Sequence, residues 1–241
     1  MLHNDLIALG LFLSYFIITG LPALLIKMYL NAPFEVVRKM LHLIITMSIF
    51  PLLELFSTWY MAILGSVLLV LIAYPLLALV DHSALYKRLA VERECGEFKR
   101  SLIIVQLSIA SLIFIFWGLL GEDWQYIAAV AVMAWGFGDA AAALVGKAFG
   151  RHRIRHEQID GPKTVEGSHA MLIVSGLAAF LTLQLYAGHP WHISLPVAFI
   201  VAIVSSAVEL FSRRGMDTLT VPISAGFTAL TLLTFFSFLG I

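Results

Sequence analysis

The sequence predicts an all-α integral membrane protein with about eight transmembrane helices. Hydrophobic residues make up 61% of its 241 residues and charged residues only 12%, proportions outside the usual range of soluble globular domains. A hydrocarbon core of about 30 Å needs about 20 apolar residues in a helix, and the chain contains eight such segments. We expect them at about residues 6–28, 38–56, 60–80, 102–120, 125–147, 168–187, 193–211 and 221–240.

These segments leave no room for a soluble domain, so we expect a single transmembrane domain over residues 1–241. The first helix is too long for a signal peptide and lacks a small-residue cleavage site, and it is expected to stay attached. A disulfide within the chain is excluded because Cys95 is its single cysteine. Its charged loop favours a reduced thiol without a functional role.

All 15 Lys and Arg residues lie in or beside the odd-numbered connections between the helices. The even-numbered connections, around STW, GEDW and GHPWH, contain none, and Glu122 and Asp123 make one of them acidic. The positive-inside rule therefore predicts cytoplasmic odd-numbered loops and extracytoplasmic termini, for a protein of the cytoplasmic membrane. Because the net charge is zero, we expect no nucleic acid partner.

Ionisable side chains within the apolar helices gather at the predicted cytoplasmic boundary, where they are expected to line a protein interior or a cavity. Glu35, Arg38 and His42 share one face of the second helix, because their spacing is i, i+3, i+7. Later helices and the connection after the seventh contribute Asp139, Glu166, His169, Glu209 and Asp217. Interfacial anchoring or structural pairing is the alternative for each. Together they favour a site for an anionic, water-soluble substrate.

The stretch GDAAAALVGKAFG, from Gly138 to Gly150, suggests phosphate chemistry when it is combined with these carboxylates. Mg²⁺ on phosphates prefers one or two carboxylates together with phosphate oxygens. The glycines, with Gly146 between them, permit close approach of a neighbouring helix or a ligand. The segment is not a Walker A loop, because its glycines are too far apart and Lys147 is followed by Ala148.

The stretch PKTVEGS adds a second phosphate-binding feature just before the sixth helix. Lys163 supplies a cation and Thr164 a hydroxyl at this position. The N-terminal backbone N–H groups of the following helix favour an anion. Cationic and backbone donors are both groups that phosphates require.

The segments GDAAAALVGKAFGRHRI and PKTVEGS resemble the signature shared by the phytol, dolichol and yeast-type diacylglycerol kinases, which are membrane enzymes that use CTP as phosphoryl donor. EVVRKMLHL, from Glu35, is similar to their E-x-x-R-K-x-x-H segment, and VELFSRRGMDTLTVPI resembles their late V-E…D-N-x-T-V-P block. The resemblance spans about residues 35 to 222, and the length is closest to the compact phytol and farnesol kinases. Thr218 stands where Asn is common, and His169 and Met171 replace an apolar residue and a glycine.

The resemblance implies a CTP-dependent kinase that transfers the γ-phosphate to a long-chain membrane alcohol, of the phytol, farnesol or polyprenol type or diacylglycerol. Its active site is expected at the cytoplasmic boundary, built from residues 35–42, 136–169 and 205–222. The implied cofactor is Mg²⁺, held on the nucleotide phosphates by Asp139 with help from Glu209 or Asp217. The base that accepts the alcohol proton is Asp217 or Glu166, between which the sequence does not decide.

The resemblance also implies which residues hold the phosphates. Lys163, with Arg151 or Arg153, would stabilise charge on the transferring phosphoryl group, which is the main demand of this reaction. Arg38 and His42 would bind phosphate or orient the hydroxyl. The remaining expected phosphate contacts are Gly138, Gly146, Lys147, Gly150, Thr164 and Gly167.

Two other functions are weighed against the kinase. The CDP-diacylglycerol synthases, which are cytidylyltransferases, share the middle signature, but their late block is typically P-G-H-G-G-x-x-D-R, whereas this chain has GMDTLTVPISAGF. An ion-coupled transporter also buries carboxylates. A transport path should place polar groups across the whole membrane, whereas these cluster at one boundary. The sequence therefore favours the kinase.

Overall fold

The computed structural model describes residues 2–30, 32–80, 97–155, 157, 159, 163–212 and 215–240, and these are almost entirely helical. Within these ranges there is no β-strand, only an isolated antiparallel bridge between Arg153 and Thr164. Eight helical segments are long and apolar enough to cross a membrane. The predicted fold class is therefore confirmed. Cys95 lies outside the described residues, and so do Arg213 and Arg214 of the late block VELFSRRGMDTLTVPI.

The chain divides into two compact units, Met1–Phe114 and Ile115–Ile241, which we describe separately. The prediction of one transmembrane domain concerns how the units combine, and it stays a prediction. In the first unit the described helices are α1 (Leu2–Leu30), α2 (Phe34–Met47), α3 (Ile49–Glu54), α4 (Trp59–Val80) and α5 (Glu97–Ile113). Helices α2 and α3 form one span, and the chain turns between them at Ser48, whose hydroxyl donates to the carbonyl oxygen of Ile45 at 2.6 Å.

Polar pairs hold the helices of the first unit together. Asp5 near the start of α1 accepts hydrogen bonds from the backbone N–H and the hydroxyl of Ser57, at 3.0 and 2.9 Å. Inside the apolar span, the Ser66 hydroxyl of α4 donates to the Gln106 side-chain oxygen of α5 at 2.6 Å. Such interhelical hydrogen bonds supplement packing where apolar burial alone gives no preference between protein and lipid.

The second unit is a ring of four helices that follow one another in sequence. They are α6 (Tyr126–Phe149), α7 (Val165–Leu181), α8 (Trp191–Phe211) and α9 (Asp217–Phe238). Each packs against the next, and α9 packs against α6 to close the ring. Residues 127–132 of α6 are all buried and mostly small, which lets the neighbouring helices approach closely. One end of this unit, here called the loop end, is formed by the ends of α6 and α8, the starts of α7 and α9, and the described loop residues 150–155 and 163–164.

The eight spans match the predicted segments, but five helices, α1, α2, α5, α7 and α9, begin three to five residues earlier than expected. Helix α7 begins at Val165 instead of about 168, because Thr164 caps it. Helix α9 begins at Asp217 instead of about 221. The sequence placed Asp217 in a connection, and this was wrong. Its carboxylate is in the first turn of a helix, where the partial positive charge of the N-terminus stabilises an anion.

The predicted membrane orientation can be tested with single cysteines at exposed positions of the second unit. Asp123 and His192 are exposed at the end opposite the loop end, and Arg153 is exposed in the loop itself. In a Cys95→Ser background, a membrane-impermeant maleimide should label Asp123→Cys and His192→Cys in intact cells, and it should label Arg153→Cys only after lysis. The reverse pattern would place the loop end outside the cell and contradict the predicted topology.

Candidate active site

The glycines of the GDAAAALVGKAFG segment let α6 and α7 come into close contact. A Cβ at Gly146 would lie 3.1 Å from the Thr164 hydroxyl oxygen, and a Cβ at Gly167 would lie 3.4 Å from the Gly146 Cα. Deeper in the unit, a Cβ at Gly138 would lie 2.6 Å from the sulfur of Met171. Of the two partners that the sequence allowed for Gly138 and Gly146, a neighbouring helix or a ligand, the structure places a helix against both.

Thr164 is the N-cap of α7. Its hydroxyl oxygen accepts a hydrogen bond from the backbone N–H of Gly167 at 3.1 Å, and its own backbone is extended. This bond satisfies one of the backbone donors that a helix start leaves without an intrahelical partner. Thr164 is buried, so its hydroxyl fixes the point at which the loop ends and the helix begins.

The loop between α6 and α7 is closed by a short pairing of its two ends. The backbone N–H of Ile154 donates to the carbonyl oxygen of Lys163, and that of Val165 donates to the carbonyl oxygen of His152, each at 2.9 Å. This pairing lies beside the Arg153–Thr164 bridge. The basic residues Arg151, Arg153 and Lys147 are all exposed at the loop end. The pairing therefore holds a cationic loop at the start of α7.

Glu166 in the first turn of α7 is engaged by this loop. Its carboxylate is 2.7 Å from the Nδ1 of His152 and 3.3 Å from the backbone nitrogen of His152, which donates to it. His152 thus contacts this carboxylate through both its backbone N–H and its ring, which gives Glu166 a role in holding the loop against the helix.

Lys163 joins the loop to the C-terminal end of α8. Its ammonium nitrogen lies 2.6 Å from Oε1 of Glu209, and it also donates to the backbone carbonyl oxygen of Glu209. Both side chains are mostly shielded, with 19% of Lys163 and 12% of Glu209 exposed. A charge-assisted bond in a shielded position is stronger than an exposed one. This ion pair joins residues 46 positions apart.

Three of the predicted carboxylates act on one another in the second unit. The negative charges of Asp139 and Asp217 both act on the carboxylate of Glu209, and the ammonium of Lys163 opposes them. Asp139 and Asp217 are half-buried, and Asp139 lies about three turns before the end of α6. Four of the residues singled out in the sequence therefore form one electrostatic cluster, which we call the carboxylate cluster: Asp139, Lys163, Glu209 and Asp217.

Oxygen donors of this kind suit Mg²⁺, which binds hard carboxylate oxygens. In the part of the chain that the structure describes, no three His, Cys, Asp or Glu side chains form a site that could hold a metal ion by themselves. Mg²⁺ in nucleotide sites usually takes one or two carboxylates and completes its coordination with phosphate oxygens and water. The carboxylate cluster fits an ion of that kind, one that is brought with the nucleotide.

A comparison with curated proteins identifies the family. The chain is 30% identical to the phytol kinase of Synechocystis sp. over 226 residues, which cover 92% of this chain and 90% of that protein. The chain belongs to the phytol kinase family. No family model matches it, and no solved structure does either.

The late block VELFSRRGMDTLTVPI, which resembles that of the phytol kinases, includes the end of α8 and the start of α9. Its Glu209 and Asp217 close α8 and open α9, and both take part in the carboxylate cluster. Of the two departures in the middle signature, His169 is exposed, whereas Met171 is fully buried against Gly138. In this phytol kinase family member, Met171 therefore fills space between α6 and α7.

The first unit contains the remaining predicted residues. Arg38 donates from Nε and Nη2 to Oε2 of Glu35, at 3.0 and 2.9 Å. Glu35 is buried, and His42 follows Arg38 by one turn on the same helix. The Arg38 guanidinium is thus held in place by Glu35. The roles of Arg38 and His42 toward phosphate stay predictions, as do those of the exposed cations in the second unit.

Two side chains were missed as candidates. Lys39 was counted only as a topology signal, yet it is 3% exposed, which is unusual for lysine. Two consecutive cations cannot share a helix face, so the pair Arg38 and Lys39 did carry a signal for one inward cation. His152 was overlooked because its contact with Glu166 depends on how the loop closes, and the sequence carries no sign of that.

Gly150 offers a test of the packing at the loop end. A Cβ there would overlap the carbonyl oxygen of Gly146 and lie 2.7 Å from Cγ2 of Thr164. Gly150→Ala should therefore lower the free energy of unfolding by about 1–3 kcal/mol, measured as a lower thermal midpoint in detergent. Gly10→Ala is the matched control, because nothing lies within 4 Å of its Cβ position. An unchanged midpoint for Gly150→Ala would contradict the close packing of α6 and α7.

Proposed function

We propose that the protein is a CTP-dependent kinase that transfers the γ-phosphate to a long-chain lipid alcohol, with Mg²⁺ as cofactor. Membership of the phytol kinase family supports a lipid-alcohol kinase. The observation that carries the site is the carboxylate cluster, in which the charges of Asp139, Asp217 and Lys163 all act on Glu209. The eight helices that are long and apolar enough to cross a membrane support a lipid substrate. The loop end would face the cytoplasm of the inner membrane, where the nucleotide is.

The roles within the cluster follow from charge and from the contacts already described. Asp139, helped by Glu209, would hold Mg²⁺, which supplies positive charge against the nucleotide phosphates when it is bound. This leaves Asp217 for proton transfer. Lys163 would stabilise the phosphoryl group in transit. The ammonium has three N–H donors, and its bonds to Glu209 use two of them. The third would donate to a phosphate oxygen.

Asp217 is our choice for the base that accepts the alcohol proton. Glu166, the other candidate, is already bonded to the backbone N–H and the ring of His152 in its own loop. A carboxylate held in that way is a poor proton acceptor, because the bonds stabilise its charged form. Asp217 begins a helix at the loop end, where lipid and nucleotide would meet. The exposed cations Lys147, Arg151 and Arg153 would draw the nucleotide toward the site.

A cytidylyltransferase of the CDP-diacylglycerol synthase type is the second candidate function. Both reactions would use CTP, a metal ion and a membrane lipid, so the carboxylate cluster by itself serves either. The kinase is favoured by the DTLTVP sequence of the late block and by the alignment with a phytol kinase over most of both chains. We therefore propose the cytidylyltransferase only as the alternative outcome of the assay.

The direct test is an assay of the purified protein in detergent with CTP, Mg²⁺ and a panel of lipids. The panel should contain phytol, farnesol, a longer polyprenol, diacylglycerol and phosphatidic acid, and the lipid products should be identified by mass spectrometry. We expect a monophosphate of at least one prenyl alcohol. Replacing CTP with ATP, GTP or UTP measures the donor preference. A cytidine-containing lipid formed from phosphatidic acid, without any alcohol phosphate, would contradict the proposal.

A further inference from the structure

An apolar groove lies between the end of α8 and the start of α9, beside the carboxylate cluster. It is a shallow groove of about 550 Å³ that is open along most of its length. Its lining combines apolar side chains with two hydroxyls: Ala207, Val208, Phe211, Ser212, Met216 and Thr220. Phe211 and Met216 are each 52% exposed, so the groove is open at the surface of the unit.

One hydrogen bond joins the two sides of the groove. The hydroxyls of Ser212 and Thr220 are 2.8 Å apart, and either can donate to the other. The hydroxyl that does not donate in this bond can donate to a carbonyl oxygen of its own segment, Val208 for Ser212 at 2.7 Å or Met216 for Thr220 at 2.9 Å. The Ser212–Thr220 bond ties the end of α8 to the first turn of α9.

Asp217 lies next to the groove, although it is not among the residues that line it. Asp217 and the lining residue Thr220 share a face of α9, since they are three residues apart. The groove thus offers an apolar wall within one helical turn of a carboxylate. A hydrocarbon chain with one terminal hydroxyl matches this combination of surfaces.

We propose that this groove binds the hydrocarbon chain of the lipid alcohol and directs its hydroxyl toward Asp217. This inference rests on the proposed function and specifies where its lipid substrate binds. The occupant is the alcohol nearest its hydroxyl end, because that end must reach the carboxylate cluster. Longer parts of the chain continue into the bilayer. The site therefore recognises the first isoprene units and does not select among alcohols by their total chain length.

The test is photolabelling of the purified wild-type protein with farnesol that carries a diazirine on the isoprene unit next to the hydroxyl. Labelled peptides should come from the end of α8 and the start of α9. Unlabelled farnesol should compete with the label, and farnesene, which has the hydrocarbon chain without the hydroxyl, should compete poorly. Label spread over the outer faces of other helices, or equal competition by both compounds, would assign the groove to bulk lipid and overturn the inference.

Ala207→Trp provides the matched functional measurement, because a large side chain would fill the groove. Photolabelling should fall, and KM for farnesol should rise about tenfold, as expected for the loss of two buried methylene contacts, while KM for CTP changes less than about twofold. Leu195→Trp, on an exposed face near the other end of α8, should leave both constants unchanged. If farnesol labels the groove but is not phosphorylated, the proposed reaction is wrong and the groove assignment stands.

Discussion

Asp139→Asn is expected to leave a folded protein whose turnover is lowered at least about 100-fold, the range expected when a phosphoryl-transfer site loses a metal ligand. The substitution keeps the size and shape of the side chain and removes its charge. Asp139 is half-buried on α6, and its charge acts on Glu209. Removing it weakens the set of oxygen donors proposed to hold Mg²⁺. Turnover should be measured with saturating farnesol over a range of Mg²⁺ concentrations.

The dependence on Mg²⁺ distinguishes a metal ligand from a structural carboxylate. Asp139→Asn should raise the Mg²⁺ concentration needed for half-maximal rate, and Asp139→Glu should recover part of the activity. Asp5→Asn is the control, because Asp5 is a buried carboxylate that bonds to Ser57 in the other unit. It should affect stability more than turnover per folded molecule. Near-normal turnover of Asp139→Asn would show that Asp139 has a purely structural role and does not hold the metal ion.

Lys163→Met should lower kcat/KM for CTP by about 100-fold, a loss comparable to that of one donor to a developing charge. Methionine keeps the unbranched apolar stem and removes the ammonium. The ammonium has two effects that must be separated, since it neutralises Glu209 and is proposed to contact the phosphoryl group. Without it, the shielded Glu209 carboxylate faces the charges of Asp139 and Asp217 without its cation.

The double variant Lys163→Met with Glu209→Gln separates the two effects of Lys163. Glu209→Gln alone is the reference, because Glu209 is itself proposed to help hold Mg²⁺, and with the wild type and Lys163→Met it completes a double-mutant cycle. If Lys163 contacts the phosphoryl group, adding Lys163→Met to Glu209→Gln should still lower kcat/KM for CTP, while the thermal midpoint of the double variant should lie above that of Lys163→Met. An equal kcat/KM for Glu209→Gln and the double variant would mean that Lys163 only neutralises Glu209, against the role proposed for it.

The number and type of the spans followed from the sequence, because a bilayer imposes both. Every backbone group in the hydrocarbon must be bonded within its own helix, so hydropathy and length located eight spans correctly. Their ends were less predictable. Asp217 was placed in a connection because a polar DTLT stretch and Pro222 follow it, yet the helix includes both. Helix starts tolerate polar residues, since their first N–H groups lack intrahelical partners.

The candidate site was predictable in its members but not in their contacts. Asp139, Lys163, Glu209 and Asp217 stood out because charges in apolar helices are costly, and the structure brings them into one cluster. The Lys163–Glu209 ion pair depends on how α7 and α8 pack, which hydropathy does not encode. The groove was missed for a related reason, because its hydroxyls look like ordinary loop residues until both helices are in place.

The fate of labelled phosphorus in CTP tests the proposed reaction most directly. A kinase joins the lipid hydroxyl oxygen to the γ-phosphorus, so γ-labelled CTP should leave its label on the alcohol and release CDP. A cytidylyltransferase joins a phosphatidate oxygen to the α-phosphorus and releases pyrophosphate. We predict γ-label in the lipid with an equal amount of CDP, and loss of both in Asp139→Asn. Entry of α-label into the lipid, with pyrophosphate and no CDP, would falsify the kinase assignment.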